Sequence, residues 1–353
     1  MDIQALTLEE KIGQLCMIGI EGESLQPETE NLLVNYFVGN VIIRDKNTRN
    51  PKQIHRLTQN LQSYAKNAAL LIAMQQGGGE QNSLTKGVTL NPNQHTLGKI
   101  NNRLYTRQIA QVVGEEMREM GVNMNLSPSL NLSENDPTSF GENIQYTAKH
   151  GVETIRGYHK ANVVAALQDF PGVGDLQAHI NASLTHIGPF RKSALQPFIQ
   201  AIAEDAHVIS IANELTTHTD YTVPAVLSDV IVQKLLREKL GYEGVIMTDN
   251  LQDEKITTHH PVDEAAVRAL EAGVDLLLLP ESNTEQIAVL EAIKLAVETG
   301  RLSEARIEES IARILHVKET FAVKELVAFD RDQFRKQWSR KLENLLEEKA
   351  VEA

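Results

Sequence analysis

The sequence predicts an α/β fold: a single-domain (β/α)8 barrel of the TIM type with a C-terminal helical extension. Two observations support it: eight short β-rich segments alternate along the chain with eight segments of helical periodicity, and the two kinds of segment never run together. Such alternation requires a parallel sheet with helical crossovers, and the number eight favours closure into a barrel. An open doubly wound sheet is the alternative that the pattern leaves open.

The elements follow in order from hydrophobic periodicity. The predicted strands are 12–20, 38–44, 70–75, 122–128, 163–170, 207–213, 244–249 and 274–279. The predicted helices are 26–36, 51–66, 103–119, 146–160, 193–203, 229–240, 262–272 and 283–299. Thr7 and Glu10 form a capping-box pattern, and Gly241 and Gly273 lie where helices should end.

We predict that the barrel covers residues 5–322 and that residues 323–353 form a helical tail. Residues 302–321 continue the helical periodicity after the last strand. An amphipathic helix is then indicated over 330–350, because apolar residues recur on one face at Phe334, Trp338, Leu342 and Leu345. That face is expected to pack on the barrel or, alternatively, to contact another chain.

The composition limits the classes of partner. The chain has 353 residues, of which 42% are hydrophobic and 23% charged, and this excludes disordered and collagen-like proteins. No apolar run approaches the roughly 20 residues that cross a bilayer, and no signal-peptide pattern is present, so we expect a cytoplasmic protein. The net charge of -13 opposes binding to nucleic acid or to an anionic membrane. Small molecules or proteins remain as partners, and the oligomeric state is not predicted.

No metal or cofactor is predicted. Cys16, the single cysteine, lies in an apolar run and is expected in the core. The triglycine at 77–79 follows a strand but lacks the spacing of a phosphate-binding loop. Zinc helices carry ligands at i and i+4, a pattern absent from the closest histidine groups, which are His259 with His260 and His179 with His186.

The active site of a (β/α)8 barrel lies at the carboxyl ends of its strands, where the loops converge. The polar residues expected there are Glu21, Arg44, Asp45, Gln75, Gln76, Asn131, Gln168, Asp169, Asn213, Glu214, Asp249, Asn250 and Glu281. Several are carboxylates, which is compatible with a retaining glycosidase, whose two carboxyl groups lie about 5–5.5 Å apart. The pattern alone does not require that chemistry.

Six segments together resemble glycoside hydrolase family 3, and they occur in that family's order. They are LTLEEKIGQL at 6–15, VGNVII at 38–43, SFGE at 139–142, FPGVGD at 170–175, LLREKLGYEGVIMTD at 235–249 and EAGVDLLL at 271–278. The resemblance covers about residues 5–322 and points to the single-domain bacterial β-N-acetylglucosaminidases, or β-N-acetylhexosaminidases, of cell-wall recycling. It implies a (β/α)8 barrel in which Asp249, at the end of strand 7, attacks the anomeric carbon and forms a glycosyl-enzyme.

The sugar-binding charges of that family are replaced in this sequence. The family's Asp-Gln-Glu-Gly-Gly-Arg segment corresponds to residues 74–79, so its Asp has become Met74 and its Arg has become Gly79. An Arg that precedes Ser-Phe-Gly in the family corresponds to Thr138. The Lys-His pair before Phe-Pro-Gly corresponds to Gln168 and Asp169.

The family's acid/base machinery is altered as well. The acid/base of this branch is the His of an Asp-Ser-His triplet, which here reads His179-Ile180-Asn181. A His is present two residues early, and the Asp that would orient it is absent. The family His after strand 6 corresponds to Asn213. Loss of one general acid/base typically costs about 10²–10⁴-fold in rate.

The resemblance therefore implies a β-N-acetylhexosaminidase-type protein that is catalytically impaired or a pseudoenzyme, with a carbohydrate or a protein as its ligand. Asp249 and His179 are the candidate catalytic residues. The candidate substrate-binding residues are Gln75, Gln76, Gln168, Asp169, Asn213 and Glu214. The alternative is an active retaining glycosidase of altered specificity, whose proton comes from Asp169, Asp175, His179 or Glu214.

Overall fold

A computed structural model describes residues 2–66, 68–88, 90–172, 194–213, 215–218, 221–279, 281–322, 328–334 and 340–352. The strands are β1 (Cys16–Gly19), β2 (Asn40–Ile43), β3 (Leu71–Met74), β4 (Met124–Asn125), β5 (Val164–Phe170), β6 (Val208–Ile211), β7 (Leu215–His218), β8 (Tyr221–Pro224), β9 (Val245–Thr248) and β10 (Leu277–Leu279). The helices of the first half are α1 (Leu8–Gln14), α2 (Pro27–Asn35), α3 (Pro51–Ser63), α4 (Gln94–Ile100), α5 (Arg103–Glu119) and α6 (Ile144–Lys160). Those of the second half are α7 (Gln196–Ile202), α8 (Val230–Lys239, a π-helix), α9 (Glu254–Thr257), α10 (Val262–Ala272), α11 (Asn283–Glu298), α12 (Glu304–Phe321), α13 (Arg331–Phe334) and α14 (Arg340–Glu352).

Eight of these strands form one parallel sheet that closes on itself. Their order is β10-β1-β2-β3-β4-β5-β6-β9. The two ends of this order meet because Met247 of β9 pairs in parallel with Leu276, next to β10. The Leu276 N–H also donates to the Ile246 carbonyl at 3.1 Å. The predicted (β/α)8 barrel is therefore confirmed, and the open-sheet alternative is excluded.

The fourth strand is short because asparagine side chains replace part of its backbone ladder. Asn123 accepts from Ile72 N–H at 2.8 Å and donates to the Leu70 carbonyl at 3.0 Å. Asn125 accepts from Gln76 N–H at 2.9 Å. Both asparagines are buried, so each amide needs such partners. These bonds hold β3 against β4 along its whole length, from Leu70 to Gln76.

The predicted elements differ from the structure mainly near the N-terminus and in two loops. The predicted strand at 12–20 is wrong over its first residues, because the Thr7–Glu10 capping box starts α1, which runs to Gln14. Ile12 fits the periodicity of either element, so the apolar pattern does not separate them. Helix α4, after β3, and the antiparallel β7–β8 hairpin, after β6, were not predicted. Both additions lie in loops at the carboxyl end of the barrel.

The C-terminal tail packs on the outside of the barrel where it is described. Lys341 of α14 pairs with Glu115 of α5 at 2.9 Å. Phe334 is buried, and its ring lies 5.4 Å from that of Phe329, which in turn contacts His55 of α3. These contacts favour packing on the barrel over contact with another chain, while the division at residue 322 stays a prediction. Trp338 lies outside the described residues.

Candidate active site

A cavity of about 310 Å³ opens at the carboxyl end of the barrel. Its walls come from the ends of β2, β3, β5, β9 and β10 and from the loop that follows β4. Small-molecule sites range from roughly 300 to 1,000 Å³, so this cavity has room for about one sugar-sized ligand. Asp249, Asp169, Gln75 and Gln168 all contribute to its lining.

Asp249 follows β9 directly and is fixed by backbone contacts. Its N–H donates to the Ile211 carbonyl at 3.2 Å, and its Oδ1 accepts from Asn250 N–H at 2.7 Å. Burial raises the pKa of Asp249, and nearby Asp253 acts in the same direction, whereas the Asn250 N–H, Arg44 and Lys255 oppose the shift. The carboxylate is thus held at the strand end where the resemblance implies a nucleophile.

Asp169 lies in the same cavity in a strained backbone conformation. Its φ is +72°, in the left-handed region, at a point where the pairing of β5 with β6 shifts register. The Ser129 hydroxyl donates a short hydrogen bond to Oδ2, and the Asp169 carbonyl accepts from Gly172 N–H at 2.6 Å. Non-glycine residues with positive φ are uncommon and cluster at functional sites. A second carboxylate is therefore held in this cavity.

Four positions at which the resemblance implies charged residues are neutral here. Thr138 and Gln168 line the cavity, and Gln168 Nε2 donates to the Ala166 carbonyl at 2.9 Å. Met74 is fully buried in the barrel core, and Gly79 has no side chain to offer. None of these four residues can supply a charged contact to a sugar.

Gln75 and Gln76 are adjacent, but only Gln75 lines the cavity. Gln75 Nε2 donates to Gln81 Oε1 at 2.9 Å, and both side chains face the ligand space. Gln76 is buried, and its amide pairs with the backbone of Leu84, donating at 3.0 Å and accepting at 3.0 Å. The predicted binding residue Gln76 therefore shapes the loop after β3, whereas Gln75 reaches the site.

Asn213 lies beside the cavity wall without lining it. Its Nδ2 donates to the Asn250 carbonyl at 2.7 Å, and its Oδ1 is buried with no hydrogen-bond partner within the described ranges. His179 and Glu214, the other two predicted site residues, lie outside the described residues, as does Asp175. Their roles stay predictions.

A group of four charges at the mouth has a role that the sequence did not indicate. Arg44, at the end of β2, lines the cavity and pairs with Glu281, with Nε and Oε1 separated by 2.8 Å. Lys46 pairs with Glu21 at 2.9 Å and lies 4.0 Å from Glu281. Gly19 of β1 makes this possible, because a Cβ there would lie 2.5 Å from Glu281 Cγ. Arg44 and Glu281 were both expected at strand ends, but their pairing also depends on Gly19 in β1, the strand that lies between β10 and β2.

The described ranges contain no group of three or more His, Cys, Asp or Glu residues arranged to hold a metal ion. None of the described helices combines the length and apolarity that a membrane span requires. Cys16 is fully buried in β1, as expected, and burial raises the pKa of its thiol to about 12.

Comparisons with known proteins agree with this geometry. The family model described as "Glycosyl hydrolase family 3 N terminal domain" matches residues 7–317. A "Beta-hexosaminidase A" of Pseudoalteromonas piscicida is 29% identical over 89% of this chain and 61% of its own length. A "Beta-hexosaminidase" of Nitrosomonas eutropha is 28% identical over 86% of this chain and 93% of its own length. This chain thus spans less than two thirds of the length of the Pseudoalteromonas piscicida relative.

Solved structures lead to the same family. A glycoside hydrolase family 3 β-N-acetylglucosaminidase from Paenibacillus sp. str. FPU-7 superposes with a TM-score of 0.86 at 33% identity, covering 97% of this chain and 68% of that one. A fungal multi-domain family 3 β-N-acetylglucosaminidase gives a TM-score of 0.88 at 26% identity, covering 96% of this chain and 43% of that one. With the barrel, the strand-end Asp249 and the match over 7–317 together, this chain belongs to glycosyl hydrolase family 3 and is similar to its β-hexosaminidases.

Proposed function

We propose that this protein is a β-N-acetylhexosaminidase-type barrel in which sugar hydrolysis is impaired and Asp249 is the retained catalytic position. One observation carries the proposal. The Asp-Ser-His triplet that the family resemblance implies for the acid/base reads His179-Ile180-Asn181 here, so the Asp that would orient the histidine is absent. A retaining mechanism needs a proton donor for the leaving group, and its loss costs about 10²–10⁴-fold.

The altered sugar contacts support the same proposal. An N-acetylated sugar would meet Thr138 and Gln168 where the family resemblance implies charged groups, and neither Met74 nor Gly79 offers a replacement. A hydrogen bond to a charged group contributes about 1.5–3 kcal/mol. Losing three or four of them should move a micromolar ligand beyond about millimolar affinity.

A panel of aryl glycosides that includes an aryl N-acetyl-β-glucosaminide tests the proposal. We expect kcat/KM at least about 10³-fold below that of an active family member, since the acid/base contribution is lost. The Nitrosomonas eutropha relative is a suitable reference assayed side by side. Robust turnover that disappears in Asp249→Asn would contradict impairment.

One observation favours a second candidate, an active retaining glycosidase with a rebuilt acid/base. Asp169 lies in the same cavity as Asp249, and the Ser129 hydroxyl fixes its carboxylate. If this candidate is correct, Asp169→Asn should slow substrates with poor leaving groups more than activated ones, which need less protonation. His179→Ala is the matched comparison, because a selective loss in that variant would assign the proton to the histidine instead.

A further inference from the structure

We infer that the amino end of the barrel binds a phosphate group through an arginine cluster, defined as Arg237, Arg306 and Arg313 around Asp275. This cluster lies at the end of the barrel opposite the candidate active site. The inference therefore goes beyond the proposed function and does not depend on hydrolysis. It rests on the geometry of the cluster, on its charge and on the hydrogen-bond donors of Arg313.

The three arginines come from two helices and converge on one buried carboxylate. Asp275 lies just before β10 and is fully buried. Its Oδ2 lies 2.6 Å from Nη2 of Arg237, near the end of α8. Its Oδ1 lies 3.0 Å from Nη1 of Arg313 and 3.5 Å from Nη1 of Arg306, both on α12. Three cations are thus held within ion-pair distance of a single acid.

The arginine cluster carries more positive than negative charge. Three guanidinium groups and one carboxylate leave an excess of two positive charges, and no second carboxylate among the described residues forms an ion pair with any of the three arginines. Helix α12 has two acidic residues between Arg306 and Arg313. Glu308 pairs with Lys11, and Glu309 is exposed. The excess is therefore not neutralised by an acid at ion-pair distance.

The like charges of the arginine cluster affect one another. Burial lowers the pKa of Arg237, and Asp275 opposes this shift. The charges of Arg313 and Arg306 lower the same pKa further. The three arginine side chains are only 11–26% exposed, so water screens their repulsion in part. A bound anion would offset this repulsion, because an opposite charge within about 4–6 Å favours the charged form.

Arg313 has hydrogen-bond donors to offer a ligand. Arg237 donates two further hydrogen bonds to backbone carbonyls, and Arg306 donates to Ser310 and to one backbone carbonyl, so both guanidinium groups are fixed in place. Within the described part of the chain, Arg313 donates to Asp275 alone, although a guanidinium carries five N–H donors. Arg313 is also the most exposed of the three. A ligand can thus approach from solvent on the Arg313 side.

A phosphate group fits this charge and these donors. Arginine binds phosphate oxygens through two parallel N–H···O bonds. A phosphate monoester carries about −1.5 to −2 charges at pH 7, which matches the excess positive charge of the cluster. A carboxylate would neutralise only part of that excess. Free phosphate and the phosphate of a larger metabolite share this chemistry, and their affinities separate the two sources.

Isothermal titration calorimetry on the full chain at pH 7.5 and constant ionic strength tests the inference with inorganic phosphate and with glucose 6-phosphate. We expect inorganic phosphate to bind with a Kd of about 1 mM or below, and Arg313→Gln to weaken it at least about tenfold. Arg301→Gln is the matched control, because it removes the same charge from an arginine that pairs with two carboxylates, Glu264 and Glu271. That variant should bind phosphate as the wild type does.

The two compounds identify the source of the phosphate group. Glucose 6-phosphate bound at least about tenfold tighter than inorganic phosphate, with the gain lost in Arg313→Gln, would identify a phosphorylated metabolite as the ligand. Equal or weaker binding of glucose 6-phosphate would identify free phosphate. Both results support a phosphate site at the arginine cluster.

Asp275→Asn gives a second test in the opposite direction. Removal of the carboxylate raises the excess to three positive charges, so we expect phosphate to bind at least about tenfold tighter. If this variant does not fold, the comparison of Arg313→Gln with Arg301→Gln decides.

Three results would overturn the inference. The first is no binding of either compound at about 10 mM. The second is an equal loss in Arg313→Gln and Arg301→Gln, which would assign the binding to the net charge of the protein. The third is unchanged or weaker phosphate binding by a folded Asp275→Asn. The hydrolysis assay is independent of all three, because it reports on the opposite end of the barrel.

Discussion

The two ends of the barrel hold aspartates in different surroundings, since Asp275 is fully buried and Asp249 is half-buried. At the amino end, Asp275 is fully buried and lies 2.6 Å from Arg237, 3.0 Å from Arg313 and 3.5 Å from Arg306. Its oxygens also accept from Ser310 Oγ at 2.7 Å and Ile246 N–H at 3.0 Å. At the carboxyl end, Asp249 accepts from the adjacent Asn250 N–H. The amino end of such barrels serves stability and the carboxyl end serves function.

Further buried charges at the amino end tie α12 to the start of the barrel. Lys11 of α1 lies 2.6 Å from both Glu304 and Glu308 of α12. Lys318 donates to Gln14 Oε1 at 2.7 Å and to the Gly39 carbonyl at 2.8 Å. Charges that the fold needs are thus retained with full sets of partners. At the carboxyl end, by contrast, the neutral residues Thr138 and Gln168 line the cavity.

The largest expected effect is that of Asp275→Asn on stability. The substitution keeps the shape of the side chain but leaves three arginines without a buried counter-charge. Removing one partner of a buried ion pair costs about 3–5 kcal/mol of unfolding free energy. Urea denaturation measures this loss of unfolding free energy. Glu204→Gln is the control, because the exposed Arg156–Glu204 pair should contribute less than about 1 kcal/mol. Similar losses in both variants would remove the contrast between buried and exposed pairs.

The next effect is a loss of stability in acid that arises from His159, near the amino end. Burial lowers the pKa of His159 to about 4, and the nearby His207 adds to the shift. Its ring packs edge-on against His207 at 4.8 Å and lies 5.2 Å from the ring of Phe321. The neutral form is thus favoured in the folded state, so stability is complete above about pH 6.5 and falls as the pH drops from there toward 4.

Urea titrations at pH 7.5 and 4.5 test this prediction. Because the pKa of His159 is lowered to about 4, the unfolding free energy of the wild type should fall by about 2–3 kcal/mol more than that of His159→Gln between the two pH values. The comparison uses the pH difference within each protein, so a constant packing loss in the variant cancels. Equal pH dependence in the two proteins would show that His159 does not carry the effect.

A smaller effect is expected for Gln76→Met at the carboxyl end. The variant keeps the apolar bulk but removes both hydrogen bonds to the backbone of Leu84, leaving buried groups unpaired. Such a group costs about 1–3 kcal/mol. We expect denaturation at lower urea concentration with unchanged sugar affinity, because the side chain does not reach the cavity. Weaker sugar binding at unchanged stability would return Gln76 to the binding residues.

The smallest effect is that of Asp249→Asn on stability, the same substitution as at Asp275. Because burial raises the pKa of Asp249, the folded state favours its protonated form, and wild-type stability rises as the pH falls through that raised pKa. The neutral variant should therefore be as stable as the wild type at pH 7 or slightly more stable, within about 1 kcal/mol. Calorimetric unfolding at pH 7 measures it, and a loss of several kcal/mol would give Asp249 a structural role.

The sequence predicts the barrel well because its parallel strands are buried on both faces and read as apolar runs. Helices α5 and α10 have the predicted bounds 103–119 and 262–272. Residues 12–14 were assigned to a strand because helical and strand patterns overlap there, and the capping box decides between them. Helix α4 and the β7–β8 hairpin lie in loops whose lengths the barrel pattern does not fix.

The site was predictable to the extent that strand ends determine it. Asp249, Asp169, Gln168 and Gln75 reach the cavity because each lies at the carboxyl end of a barrel strand. Gln76 does not, since successive side chains point to opposite sides of the backbone and its amide finds Leu84 in the following loop. Leu84 lies eight residues after Gln76 across an irregular loop, so this pairing produces no periodic pattern in the sequence.

We propose that this family 3 barrel keeps its fold while its hydrolytic site is impaired. The most direct test is kcat/KM for an aryl N-acetyl-β-glucosaminide, measured on the full chain and on Asp249→Asn in parallel. We predict a wild-type value at least about 10³-fold below an active family member, with the residual turnover lost in Asp249→Asn. A wild-type value within about tenfold of that member, abolished by Asp249→Asn, would contradict the claim.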